Sequence, residues 1–175
     1  GALNLAIIGA GMFTVSPPGS DGTASDAKFY TRSGELTIDK NGYLKTGDGA
    51  FVLGTAPGSA VGSDSPRIAM QIPFSDDGSS LTGLEITAGG KISATYGSDI
   101  VDKGSLTIAT FANQGGLKNV GSSRFSETTY SGSPAFGVAG QTGYGTLQAG
   151  ALEGSNVDIT QEMTVMIRAQ QQFSG

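Results

Sequence analysis

The sequence predicts a mainly β fold. Small antiparallel strands and hairpins form one compact domain, followed by a single C-terminal amphipathic α-helix. Three observations carry this. Short runs of alternating apolar and polar residues recur along most of the chain. The 29 glycines among 175 residues fall largely between those runs, in turn dipeptides such as Asn41-Gly42 and Gly89-Gly90. Only beyond residue 155 does the apolar spacing change to i, i+3, i+4.

The elements follow in order. Leu3, Leu5 and Ile7 alternate, Gly9 and Gly11 punctuate, and a second strand covers 12–15 before Pro17-Pro18 ends it. A loop over 16–27 leads to a strand at 29–32, a Ser33-Gly34 turn, and a strand at 35–38 with Leu36 and Ile38 on one face. Asn41-Gly42 predicts a hairpin, because both residues tolerate positive φ, with 43–46 as the return strand. Gly47-Asp48-Gly49 turns the chain into 51–53. After an aperiodic loop at 54–66 come a strand at 67–72, stopped by Pro73, and a turn in "SDDGSS". A hairpin of 84–86 and 92–95 closes around Gly89-Gly90. In "GSLTIATFA" (104–112), Leu106, Ile108 and Thr110 alternate with Thr107, Ala109 and Phe111, which predicts one strand. The stretch 113–134 reads as loop with 125–128 extended, and 145–149 is the last strand.

The helix starts at Asp158, an N-cap with Gln161 completing a capping box. Ile159, Met163, Met166, Ile167 and Phe173 share one side, and Glu162, Arg168, Gln171 and Gln172 fall elsewhere. Two readings of that stripe stand side by side. It docks on the domain's own sheet, or it is the seam of an inter-subunit coiled coil.

Composition excludes several function classes. Net charge is −5 and the ten lysines and arginines are scattered singly, so no basic run neutralises phosphates and no nucleic-acid partner is expected. The longest apolar runs, such as "LAII" and "AFVL", are far too short for membrane insertion as a helix. There is no cysteine and no histidine, which removes disulfides, thiol nucleophiles, imidazole catalysis and the usual zinc sites. No catalytic residue, cofactor or metal is assigned.

Individual motifs reduce to turns. "AIIGAGMFTV" resembles a dinucleotide fingerprint, but Thr14 stands at the third glycine position. A strand running into Pro17-Pro18 leaves no helix N-terminus for a pyrophosphate. "DKNGYLKTGDGA" has the flavour of a calcium loop, with Leu44 at the position that needs glycine and Ala50 at the position that needs glutamate. Asp76-Asp77 reads as a solvated turn. Fifteen acids offer a hydrolase no pair set in a motif, and with no tryptophan a glycan-binding β-module has only composition in its favour.

The C-terminal part carries a longer pattern: Phe111-Ala112-Asn113, Gly116-Leu117, Gly121, Phe125, Thr128, Ser131-Gly132, then Gly145, Leu147, Gly150, Leu152-Glu153 and Ser155-Asn156-Val157, then Glu162, Met166-Ile167, Gln170 and Phe173. With "LNLAIIGAGMFTV" and "FYTRSGELTIDKNGYLKTGDGAFVLG" it closely resembles the hook and rod family, the axial proteins of the bacterial flagellum. Asn4, Met12 and Lys45 depart from the pattern. The wording of "ATFANQGGL" and "MIRAQQQF" is nearer the hook members, so the resemblance implies a hook subunit first and a rod subunit second.

The resemblance implies a structural subunit needed for motility. It is exported by the flagellar type III apparatus and polymerises with itself, and with adjacent axial proteins, into a helical tube of the hook or basal body. Residues 1–155 would form the tube wall, with 54–83 where larger relatives carry inserted domains, and 156–175 would begin the C-terminal helix of the inner tube. Asn156, Val157, Ile159, Met163, Met166, Ile167, Gln170 and Phe173 would then be its assembly seam. Family members carry further helical segments at both ends, so this stretch alone is expected to be monomeric.

Overall fold

The first strand, β1 (Leu3–Ile8), buries Leu3, Leu5 and Ile7 and turns its alternate residues outward, as its period-two pattern requires. The computed structural model describes residues 3–61 and 66–149, together with the backbone of 157–158 and 164–167. β2 (Phe13–Ser16) is buried at all four positions, because it lies between β3 (Phe29–Thr31) and β6 (Phe51–Thr55). β4 (Glu35–Ile38) pairs with β1 at Leu3 and Asn4, and β5 (Leu44–Thr46) joins β4 to β6. β6 is the junction of the fold. It also takes β7 (Ile68–Ala69) and, at Gly54 and Thr55, the end of a long ribbon.

That ribbon is antiparallel: β8 (Ser75–Asp76), β9 (Ser79–Ile86), β10 (Lys91–Tyr96) and β11 (Asp99–Leu106) pair in sequence order. β12 (Ile108–Thr110) pairs with β15 (Ala135–Gly137). The hairpin of β13 (Lys118–Gly121) and β14 (Arg124–Ser126) attaches to β3 through Phe125 and Tyr30. β16 (Thr146–Ala149) returns along β1, with Leu5 opposite Ala149 and Ile8 opposite Thr146. A hydrogen bond from the Leu147 N–H to the Ala88 carbonyl (3.1 Å) ties β16 to the β9–β10 turn. The pairings thus wrap around one core, in which Leu3, Phe13, Leu36, Leu44, Ile72, Ile92 and Leu106 are fully buried. A second, smaller cluster of Met12, Tyr30 and Ala109 sits under Phe111, Leu117, Phe125 and Phe136.

The mainly β, antiparallel prediction holds for the described residues between 3 and 149, with differences of physical interest. The Asn41-Gly42 hairpin forms, but only Gly42 has positive φ (89°). The Asp39 N–H bonds to the Tyr43 carbonyl and the Gly42 N–H to the Asp39 carbonyl, so a longer loop ends in a glycine bulge. The Asp39 carboxylate selects this form by accepting from the N–H groups of Asn41 and Tyr43. The single strand expected over 104–112 is broken at Thr107. Leu106, Thr107, Ile108 and Ala109 are all buried, so alternation fails where the chain leaves β10 and β6 for β15. The stretch read as loop after residue 113 holds a 3-10 turn (Gln114–Gly116) and β13–β14, whose turn places Ser122 and Ser123 at φ 55° and 60°. Of 67–72, only Ile68–Ala69 forms a strand.

No α-helix occurs among the described residues. The helix expected from Asp158 falls outside them, apart from two extended backbone stretches, Val157–Asp158 and Thr164–Ile167, the second running parallel to β9.

Gly34 shows how tightly backbones meet in this fold. A Cβ there would lie 1.7 Å from the Leu5 carbonyl oxygen, whereas at Gly47 nothing lies within 4 Å. Gly34→Ala is expected to lower the unfolding free energy by about 3 kcal/mol. Gly47→Ala should shift it by less than about 1 kcal/mol. Urea unfolding of the two variants against the parent checks this.

Candidate assembly surface

The predicted seam cannot be built from contacts. Asn156, Ile159, Met163, Gln170 and Phe173 lie outside the described residues, and of Val157, Met166 and Ile167 only the backbone is described. Gly150, Leu152, Glu153, Ser155 and Glu162 of the motif also lie outside the described residues, and the fold brings the described motif residues to three places.

The first is the corner between β1 and β2. The register pairing Leu3 with Leu36 would set Arg32 opposite Ile7. The backbone diverges there, because β3 pairs with β2 instead. The Arg32 guanidinium fills the gap, donating to the carbonyls of Ile7 (3.0 Å), Gly9 (2.8 Å) and Gly11 (2.8 Å). A planar fork of fixed donors serves three carbonyls in a way that one ammonium cannot.

The second is the Asp39 hairpin. Lys45 Nζ lies 3.0 Å from Asp39 Oδ2 and 4.5 Å over the Phe51 ring, which meets Tyr43 edge-on. The carboxylate that gave this segment its calcium-loop flavour is therefore bound to an ammonium and two backbone N–H groups. Burial pushes the Asp39 carboxyl up, but the hydrogen bonds from Tyr43, Lys45 and Asn41 outweigh it and hold it below its ordinary value. Asp48 is also lowered, by the Thr46 hydroxyl, against some burial, and by Arg124, which sits 2.9 Å away. The Arg124–Asp48 pair holds the β13–β14 hairpin against the β5–β6 turn, and a 270 Å³ recess lined by Glu35, Thr46, Ser122 and Ser123 lies between them.

The third is the loop 111–132. Phe111 meets Tyr30 edge-on, ring centroids 4.9 Å apart, and Leu117 and Phe125 pack beside them. Burial, with the nearby Glu127 charge, pushes the Tyr30 hydroxyl up to about 12. Asn113 Nδ2 donates to the Tyr130 carbonyl (3.1 Å), and Thr128 Oγ1 donates to the Gly116 carbonyl (2.6 Å). The Thr128 N–H donates to Ser131 Oγ (2.8 Å), closing the turn.

Apart from the Lys45–Asp39 and Arg124–Asp48 pairs, these residues direct their polar groups at the backbone and their rings at one another, as scaffold residues do. The spacing that carries them is a family's. Residues 6–94 match the sequence model of the flagellar hook protein FlgE/F/G D1 domain. The chain belongs to the flagellar hook and rod family. Residues 148–175 match a second model, the C-terminal region of the flagellar basal body rod FlgEFG proteins. A basal-body rod protein FlgG of Agrobacterium fabrum is 35% identical over 173 residues, covering 98% of this chain and 56% of its own length. The FlgG of Bacillus subtilis is 38% identical over 172 residues, again 98% of this chain and 57% of its own length. The hook protein FlgE of Treponema pallidum is 39% identical over 94 residues, which is 53% of this chain and 20% of that protein. The chain therefore spans about half the length of the rod relatives it matches. In this chain Arg32, Gly34, Asp39, Asn113, Thr128 and Ser131 help to shape the β domain. Sequence reasoning had placed Arg32 merely at the end of a strand. Its role was hidden because the three carbonyls it serves lie more than twenty residues upstream.

Two predictions follow from this geometry. Arg32→Ala is expected to destabilise the domain by about 2 kcal/mol, with Arg32→Lys recovering only part. Chemical denaturation measures this, and amide exchange at the β1–β2 corner should accelerate most. For Asp39, a folded-state pKa below the unfolded value gives stability that is present above that value and lost as pH falls through the folded one. Stability should therefore fall below about pH 4, and less steeply in Asp39→Asn. Urea titrations at a series of pH values test the difference in slope.

Proposed function

We propose that this chain is the β-rich wall domain of a flagellar axial structural subunit, located in the basal body, and that the subunit is of the rod type. The observation that carries the reading is the extent of similarity. Rod proteins match along 98% of the chain, whereas the hook protein of Treponema pallidum matches 53% of it. This reverses the order expected from the wording of the C-terminal motifs, which put the hook first. The hook wording covers short segments, and the alignment with rod proteins runs almost end to end.

The fold supports a subunit with an inner and an outer layer. Because Leu5 lies opposite Ala149, the chain enters and leaves the β domain side by side. Helical segments continuing from β1 and β16 would start as neighbours, as an inner layer of paired helices requires. In this reading Asn156, Val157, Ile159, Met163, Met166, Ile167, Gln170 and Phe173 belong to that layer. Residues 1–155 form the wall, other copies and adjacent axial proteins cover its flanks, and the flagellar export apparatus delivers the subunit. Head-to-tail contacts that do not close on themselves then build the tube.

Electron cryo-microscopy of hook–basal bodies purified from the source bacterium tests this. Side-chain density fitting this sequence in the straight rod is the expected result. Density for it in the curved hook would overturn the rod assignment, and its absence from both structures would overturn the axial one.

A further inference from the structure

Tyr130 is 79% exposed, the most of any large apolar side chain among the described residues. Its backbone is nevertheless held on every side. Its N–H donates to Thr128 Oγ1 (3.0 Å), as does that of Ser131 (3.1 Å), and its carbonyl accepts from Asn113 Nδ2 (3.1 Å). Ser131, 1% exposed, donates through Oγ to the Thr128 carbonyl (3.0 Å), and the Gly132 N–H bonds to the same carbonyl. The Asn113 N–H bonds to the Ser131 carbonyl (3.3 Å). A floppy exposed tyrosine is ordinary. One held out on a fixed turn gives a monomer nothing, yet it loses little further freedom when it is covered, which is the property of an interface anchor.

The surroundings match. The residues flanking Tyr130 in sequence, Glu127, Thr128, Thr129, Gly132 and Ser133, line a shallow hollow whose polar groups are of the kind found at an interface rim. Glu127 is the one ionised side chain in that lining, and no cation borders it, which disfavours an anionic polymer or an acidic membrane as partner.

We propose that Tyr130 is an inter-subunit anchor whose ring packs on a second copy of this chain in the assembled tube. The inference rests on the axial reading above. A polymer of one subunit repeats every contact at each step, so a single preformed knob acts along its whole length.

The test uses the full-length subunit carrying Tyr130→Cys, expressed in the source bacterium in place of its own copy. The 175 residues contain no cysteine, so labelling by a maleimide above the wild-type background reports on position 130. The unassembled subunit should label readily, and the rate should fall by roughly tenfold or more in purified rods. If Tyr130→Cys keeps its melting temperature but does not assemble, while Tyr130→Phe does, the anchor is equally supported. Equal labelling in rods and in free subunit would overturn it. So would protection already present in the free subunit, which would mean that the subunit's own chain covers the ring. If the subunit is in the rod and residue 130 is open, only the anchor fails. If the subunit is absent from the rod, the axial reading itself fails and the anchor with it.

Discussion

Strand β1 has two neighbours to satisfy, and the rest of the domain depends on how it does so. It pairs with β4 over Leu3 and Asn4 and with β16 from Leu5 to Ile8. The edge facing β4 would be left bare beyond Leu5, because β3 turns away to pair with β2. Carbonyls left without partners cost free energy comparable to lost hydrogen bonds. The Arg32 guanidinium takes the place of the missing strand at Ile7, Gly9 and Gly11, and the Gly34 carbonyl receives the Leu5 N–H just before the divergence. One side chain thus lets a single chain direction feed two strand systems around one core.

The same economy explains why the family pattern is built from glycine, threonine, serine, asparagine and arginine. A sheet that changes partners often has many places where a strand ends and backbone groups face nothing. Asp39 closes one of them at the β4–β5 loop, and Thr128 and Ser131 close others at the turn below Tyr130. Chemistry on a substrate needs polar groups that are free to act. Those of Arg32, Asn113 and Thr128 are committed to the backbone, which suits a structural scaffold.

Much of this was legible in the sequence. Alternation revealed β1, β4 and the β9–β10 hairpin, and glycine dipeptides marked their turns. Alternation failed at 106–109, where four successive residues are buried because the chain crosses from one set of partners to another. It also failed at β13–β14, a hairpin with no buried residue and with two serines, Ser122 and Ser123, in positions that usually call for asparagine or glycine. The Arg32 contacts were invisible for a third reason: they join residues whose separation only the fold removes. The seam side chains, and the helix expected to carry them, fall outside the described residues. For assembly, what the described structure offers instead is Tyr130, which stands out only once exposure and backbone bonding are seen together.

The position of Tyr130 also follows from the smaller core. Tyr30, in β3, is buried between Met12 and Ala109 and holds Phe111 edge-on, while Leu117 and Phe125 close the cluster from the far side of the loop. Phe125 is also the residue through which β14 pairs with β3. The segment that presents Tyr130 therefore leaves from β14, which pairs with β3, and ends in β15, which pairs with β12, and Asn113 bonds to the Tyr130 carbonyl between them. A contact mounted this way transmits force to the body of the domain without first straightening a slack segment.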